Sequence, residues 1–138
     1  MLDNTIFIGV NAPKAHQRII GLLMTGLGSL YYKMQTIAYE PFIETMIDEG
    51  KTSPTPDVLL YDHANKRNVV IIEISTNTGT KKDFEKVIEL VNDYEVNEGF
   101  VYNYDKNTWL KYQLGVGEIK ENPSFCAAIG YDLKEFLS

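Results

Sequence analysis

The 138-residue sequence has one cysteine, two histidines, one tryptophan and no long apolar run. Each scarcity closes a class of function. A single cysteine, Cys126, excludes a disulfide framework and any multi-cysteine zinc site. Neither His16 nor His63 has a cysteine or second histidine at ligand spacing, which sets zinc aside. The longest apolar stretches are Val69-Val70-Ile71-Ile72 and the segment from Ile19 to Met24, with Gly21 inside it. Both fall far short of the ~18 residues that span a bilayer. Asp3 and the lack of a basic lead segment argue against a signal peptide. The expectation is a soluble, cytoplasmic protein with no membrane partner.

Positive charge is also scarce. The formal net charge is −6, which argues against a protein that coats nucleic acid constitutively. A phosphate-cradling loop is missing, because Gly26-Leu27-Gly28 has no Gly-Lys-Ser/Thr after it. Ser53 and Ser75 lack a His/Asp constellation of the serine-hydrolase kind.

What is present is an ordinary globular composition, 44% hydrophobic and 23% charged. The length fits one domain over 1–138, burying roughly two thirds of the unfolded chain's surface. The charge is uneven: 1–38 carries +2, 39–64 carries −5, 65–82 carries +3 and 83–138 carries −6. An acidic chain with basic patches can still meet a phosphate backbone locally, above all when a metal ion neutralises its carboxylates.

Periodicity predicts an edge strand at 5–10 and a helix over 13–33, with Pro13 in its first turn and Gly21, Gly26 and Gly28 allowing close approach to a sheet. Strands are predicted at 35–42, 57–61 and 68–75. The last is apolar on both faces and therefore central. A second helix spans 82–94 with its stripe at Phe84, Val87, Ile88, Val91 and Tyr94. A hairpin of 99–104 and 109–114 follows, then a segment at 125–129 and a short helix at 133–137. Tyr102, Tyr104, Trp109 and Tyr112 fall on the hairpin, where cross-strand or interface packing accounts for them. The fold class is α/β: a central mixed sheet of about five strands with a helix on each face.

Chemistry concentrates in two acids. Glu73 ends an otherwise hydrocarbon run, on a face shared with Val69, Ile71 and Ser75. A lone buried carboxylate is costly, so it must pair, bind a cation or become neutral. Asp57 opens its strand after Pro56, pointing the same way as Leu59 and Tyr61. If the turn over 62–68 joins antiparallel neighbours, Asp57 and Glu73 meet. Two carboxylates at one sheet end make a hard-cation site for Mg²⁺ or Mn²⁺, and hydrolysis of a phosphodiester is the chemistry it supports. The same residues admit a structural reading, with Asp57 hydrogen-bonded to its own turn and Glu73 paired with Lys82, Lys86 or Arg18.

Pro56-Asp57 followed by Glu73-Ile74-Ser75 resembles the PD-(D/E)XK signature of restriction-endonuclease-like nucleases, and more narrowly the Uma-type restriction endonucleases. The resemblance extends over His16-Gln17-Arg18-Ile19-Ile20, Tyr39-Glu40-Pro41, the segment from Pro56 to Asp62, Val70 to Ser75, Thr80-Lys81-Lys82-Asp83 and Gly130-Tyr131-Asp132-Leu133. It implies a metal-dependent nuclease core acting on DNA. Asp57, Glu73 and the Ile74 carbonyl would hold Mg²⁺, and a lysine would serve the attacking water or the phosphate. By the same analogy a homodimer is expected, since such enzymes cut a duplex with two active sites. Glu40, His16, Ser75 and Asp83 are accessory candidates.

The sequence departs from the pattern at the lysine. Ser75 stands where the general signature has it, and Val87 stands where the Uma-type pattern has one on the helix. Lys86 is one residue early, about 140° around the helix from Val91, so the wheel places it on the outer side. Lys82 lies at the helix entrance. Two classes of function therefore remain open: a Mg²⁺-dependent nuclease using Lys82 or Lys86, and a catalytically inactive relative acting as a homo-oligomeric or nucleic-acid-associated module.

Overall fold

The computed structural model describes residues 13–50 and 53–138, so the strand expected at 5–10 lies outside the described residues. Helix α1 (Lys14–Gly28) is preceded by Pro13 and runs on into a π-helical turn, Ser29–Lys33. Together they cover the helix expected from the sequence. Ile20, Leu23, Leu27 and Leu30 form its buried stripe, the three-and-four spacing that turns one helix face to a core.

Six strands form the main sheet in chain order: β1 (Glu40–Ile43), β2 (Val58–Asp62), β3 (Arg67–Ser75), β4 (Glu98–Asn103), β5 (Thr108–Gln113) and β6 (Gly117–Glu118). Neighbours are antiparallel except β3 and β4. That parallel pair requires a crossover, supplied by α2 (Thr80–Tyr94). A separate ribbon, β7 (Phe125–Cys126) with β8 (Tyr131–Asp132), leads into a 3₁₀ turn, Leu133–Leu137. The α/β class with a mixed central sheet is as expected; the sixth strand is two residues long. The strand expected over 35–42 is shorter and later: the π-helical turn ends at Lys33, the left-handed Gln35 (φ 54°) follows, and pairing with β2 begins only at Glu40.

Alternation along the strands divides the core in two. Val58, Leu60, Val70, Ile72, Ile74, Phe100, Tyr102 and Trp109 face α1, whereas Leu59, Ile71 and Val101 face Val87, Leu90 and Val91 of α2. Tyr102 and Trp109 are thus core residues, their rings 4.7 Å apart. A register shift in β2–β3 places Leu60 opposite Val70 but Tyr61 opposite Asn68, leaving Val69 as the extra residue of a bulge. Val69 therefore joins the α1 side and does not share the face of Ile71 and Glu73, as simple alternation predicts.

Two glycines mark close approaches. A Cβ on Gly99 of β4 would lie 2.4 Å from Val87 Cγ1 and 2.8 Å from Val91 Cγ2, so its absence lets α2 settle on the sheet. A Cβ on Gly26 would lie 2.1 Å from Phe136 Cδ1. The glycine expected to admit a sheet instead admits the ring from the 3₁₀ turn.

A buried ion pair ties the ribbon to the sheet. Lys111 Nζ lies 2.7 Å from Glu98 Oε2 and donates to the Phe125 carbonyl at 2.8 Å. Glu98 accepts from the backbone N–H groups of Ala127 and Ala128, both at 2.9 Å, and from Cys126 Sγ at 3.5 Å. Burial and the Glu98 charge push the Cys126 thiol far up, so it stays protonated.

Candidate active site

Asp57 stands just before β2, where Pro56 ends the rigid connector, and Glu73 is third from the end of β3. The antiparallel register, Val58 opposite Ile72, brings them together at one end of the sheet. Asp57 Oδ2 accepts the Ile74 N–H at 2.7 Å, and the Asp57 carboxylate is close enough for its charge to act on Glu73. The juxtaposition expected from the hairpin is present.

Glu73 is the more deeply placed of the two, its side chain 9% exposed against 14% for Asp57. Its Oε2 is buried and has no hydrogen bond among the described residues. Lys86 Nζ lies 3.9 Å from that oxygen, an ion-pair distance too long for a hydrogen bond. Burial first, then the Asp57 charge, push the Glu73 carboxyl up to about 8, against a partial pull downward from Lys86. One proton must sit in this pair near neutrality, or a cation must replace it.

Stability should therefore fall with pH in the metal-free protein. A carboxyl whose folded value is raised contributes fully below its unfolded value, near 4.5, and loses that contribution as pH rises toward about 8. His16 is shifted upward too, chiefly by Asp57, and works in the same direction above its ordinary value of 6.5. The melting temperature in a chelating buffer is expected to drop between pH 5.5 and 8.5. A flat or rising profile would contradict the assignment.

The structure sorts the remaining candidates. His16, in the first turn of α1, places Nε2 at 3.3 Å from Asp57 Oδ2. Asp83, in the first turn of α2, is close enough for its charge to act on both Glu73 and His16. Lys86 does reach the pair although 47% of its side chain is exposed. The helix wheel misplaced it because it measures direction from the apolar stripe alone and takes no account of the long stem, which carries Nζ to Glu73. Lys82 is exposed and makes no ion pair among the described residues. Ser75 Oγ donates to the Thr76 carbonyl at 3.3 Å.

Glu40 is elsewhere. It faces Tyr61 in the register, four residues along from Asp57, or roughly 13 Å at the usual strand rise. There it accepts from Tyr32 Oη at 2.5 Å and meets His63 Nε2 at 2.7 Å. The acid of this strand that approaches the site is Glu44, just past β1: its N–H donates to the Asp57 carbonyl at 3.1 Å and its charge acts on His16. Pairing 40–43 against 58–61 in the sequence would have found it.

A hard divalent cation fits these residues. The donors are oxygens, and one of them, Glu73 Oε2, is buried with no hydrogen-bond partner among the described residues. Among the described residues no three His, Cys, Asp or Glu side chains converge. Mg²⁺ in general is held by one or two carboxylates and keeps its other positions for water and substrate phosphate.

No family model matches the chain, and no curated protein matches it. Among solved structures it is similar to one described as "a putative nuclease belonging to DUF820" from Anabaena variabilis ATCC 29413, with a TM-score of 0.67 and 16% sequence identity over 91% of this chain and 81% of that one. At that identity the likeness is one of fold. Among the described residues, no helix is long and apolar enough to cross a membrane.

Proposed function

We propose that this chain is a metal-dependent nuclease of PD-(D/E)XK type that hydrolyses phosphodiester bonds of DNA, akin to the Uma-type enzymes and acting as a cytoplasmic homodimer. The observation that carries the reading is the meeting of Asp57 with a buried Glu73 whose Oε2 has no hydrogen-bond donor. The fold likeness to a protein described as a nuclease points the same way.

Asp57 and Glu73, with the Ile74 carbonyl, would hold Mg²⁺ or Mn²⁺. Such an ion, when bound, polarises a phosphoryl oxygen and makes a nearby water more acidic. The protein's own part is electrostatic. Glu73, ionised once its proton is displaced, supplies an anionic oxygen from the deeper side of the pair. The Lys86 ammonium stands beside it, in place of the lysine that Ser75 replaces, and would offset charge building on the phosphate oxygens. Lys81 and Lys82, exposed at the start of α2, are placed to meet flanking phosphates.

The test is calorimetric titration with Mg²⁺ and Mn²⁺, run beside incubation of plasmid and single-stranded DNA with each metal. Binding near one ion per chain and metal-dependent cutting are expected. No binding removes the proposal. Binding without cutting of either DNA leaves the inactive, nucleic-acid-associated module.

A further inference from the structure

Asp57 is held from three directions. Its carbonyl accepts from Glu44 N–H at 3.1 Å, its Oδ2 accepts from Ile74 N–H at 2.7 Å, and the same Oδ2 faces His16 Nε2 at 3.3 Å. Oδ1 takes no hydrogen-bond donor among the described residues. Among the described residues the imidazole has no other polar contact: its Nδ1 is buried and finds no hydrogen-bond partner there. An aspartate's last torsion is broad, so a single donor leaves the carboxylate plane free to swing about that one contact. A second group on the same oxygen, from a different element, removes that freedom.

We propose that His16 is a positioning residue: with the Ile74 N–H it pins Asp57 Oδ2 and so commits Oδ1 to the divalent ion. The inference rests on Asp57 being an ion ligand. It adds that α1, which supplies no ligand, sets which oxygen is offered. Partners of ligating groups commonly act this way, and their loss costs roughly 10–100-fold in metal affinity. The neutral tautomer that suits the contact carries its proton on Nε2 and leaves Nδ1 a bare lone pair, in keeping with the absence of an acceptor there.

A merely structural His16 would tie α1 to the sheet, and an apolar residue of similar size would replace it. The experiment measures Mg²⁺ dissociation constants by calorimetry for the wild type, His16→Leu and His16→Gln, each with its metal-free melting temperature. The glutamine amide can put an N–H near the Nε2 position. His16→Leu is expected to weaken Mg²⁺ binding about tenfold or more with a melting temperature close to wild type, and His16→Gln to recover most of that loss. If leucine destabilises the fold, His16→Met serves as the donor-free variant. Wild-type affinity in a folded donor-free variant, or no recovery with glutamine, overturns the proposal. A wild type that binds no Mg²⁺ brings down the metal reading itself and this inference with it, so the two failures are told apart by the wild-type titration.

Discussion

Glu73→Gln is expected to abolish cleavage and Mg²⁺ binding while making the metal-free protein more stable. The two effects share one cause. Glu73 is nearly buried, abuts Asp57 and has an oxygen with no donor. Above pH 8 the wild type must hold two anions together in a poorly solvated corner, where the cation beside Glu73 is the half-exposed Lys86 amine, 3.9 Å away. Glutamine keeps the shape, removes one charge, and offers an amide N–H to Asp57. At pH 8.5 the gain should be about 1–3 kcal/mol, a rise of several degrees in melting temperature. Loss of the anionic ligand should lower cleavage by roughly a thousandfold or more. The gain should shrink at pH 5.5, where the wild-type carboxyl is protonated. A variant that retains Mg²⁺ binding, or melts below wild type at pH 8.5, would sink this account of the pair. Sites arranged for catalysis often cost stability in this manner.

Lys111→Ala should have the largest effect on folding of any single change considered. The Lys111 and Glu98 side chains are 5% and 3% exposed. Removing the ammonium leaves the Glu98 carboxylate buried with two backbone N–H groups and a thiol as its remaining partners. It also frees the Phe125 carbonyl and takes a cation from over the Phe100 ring, 5.3 Å from its centroid. Breaking one side of such a pair costs about 3–5 kcal/mol, readable as a shift in the urea midpoint with little change in slope. The double variant Lys111→Met with Glu98→Gln should recover much of the loss, since neither residue then strands a charge. A single-variant loss below about 1 kcal/mol would show the pair to be solvated.

Local chemistry explains which parts could be read from the sequence. The β-branched run of β3, the stripe of α2 and the β4–β5 hairpin are legible because each carries its own periodicity, and the short turn between β2 and β3 fixes the antiparallel partnership that joins Asp57 to Glu73. Features that depend on a partner far along the chain are not. Val69 changes face because a bulge absorbs one residue. Gly26 is small because of Phe136, more than a hundred residues later. Lys111, which reads as a solvated strand lysine, is buried because Glu98 and the 125–128 segment close over it. Glu40 and Glu44 are indistinguishable acids until pairing with β2 decides which one nears the carboxylates.

The seat of Phe136 against Gly26 has a consequence for the other end of α1. That helix is a stiff rod of 15 residues: its first turn carries His16 to Asp57, and its last turns are notched to receive the aromatic ring. Leu133 and Phe136 therefore brace the rod from behind, and the axial placement of the imidazole is set partly by residues that never approach the acids. Shortening the chain from its far terminus would be felt as slack at the carboxylates, transmitted through the backbone of a single helix.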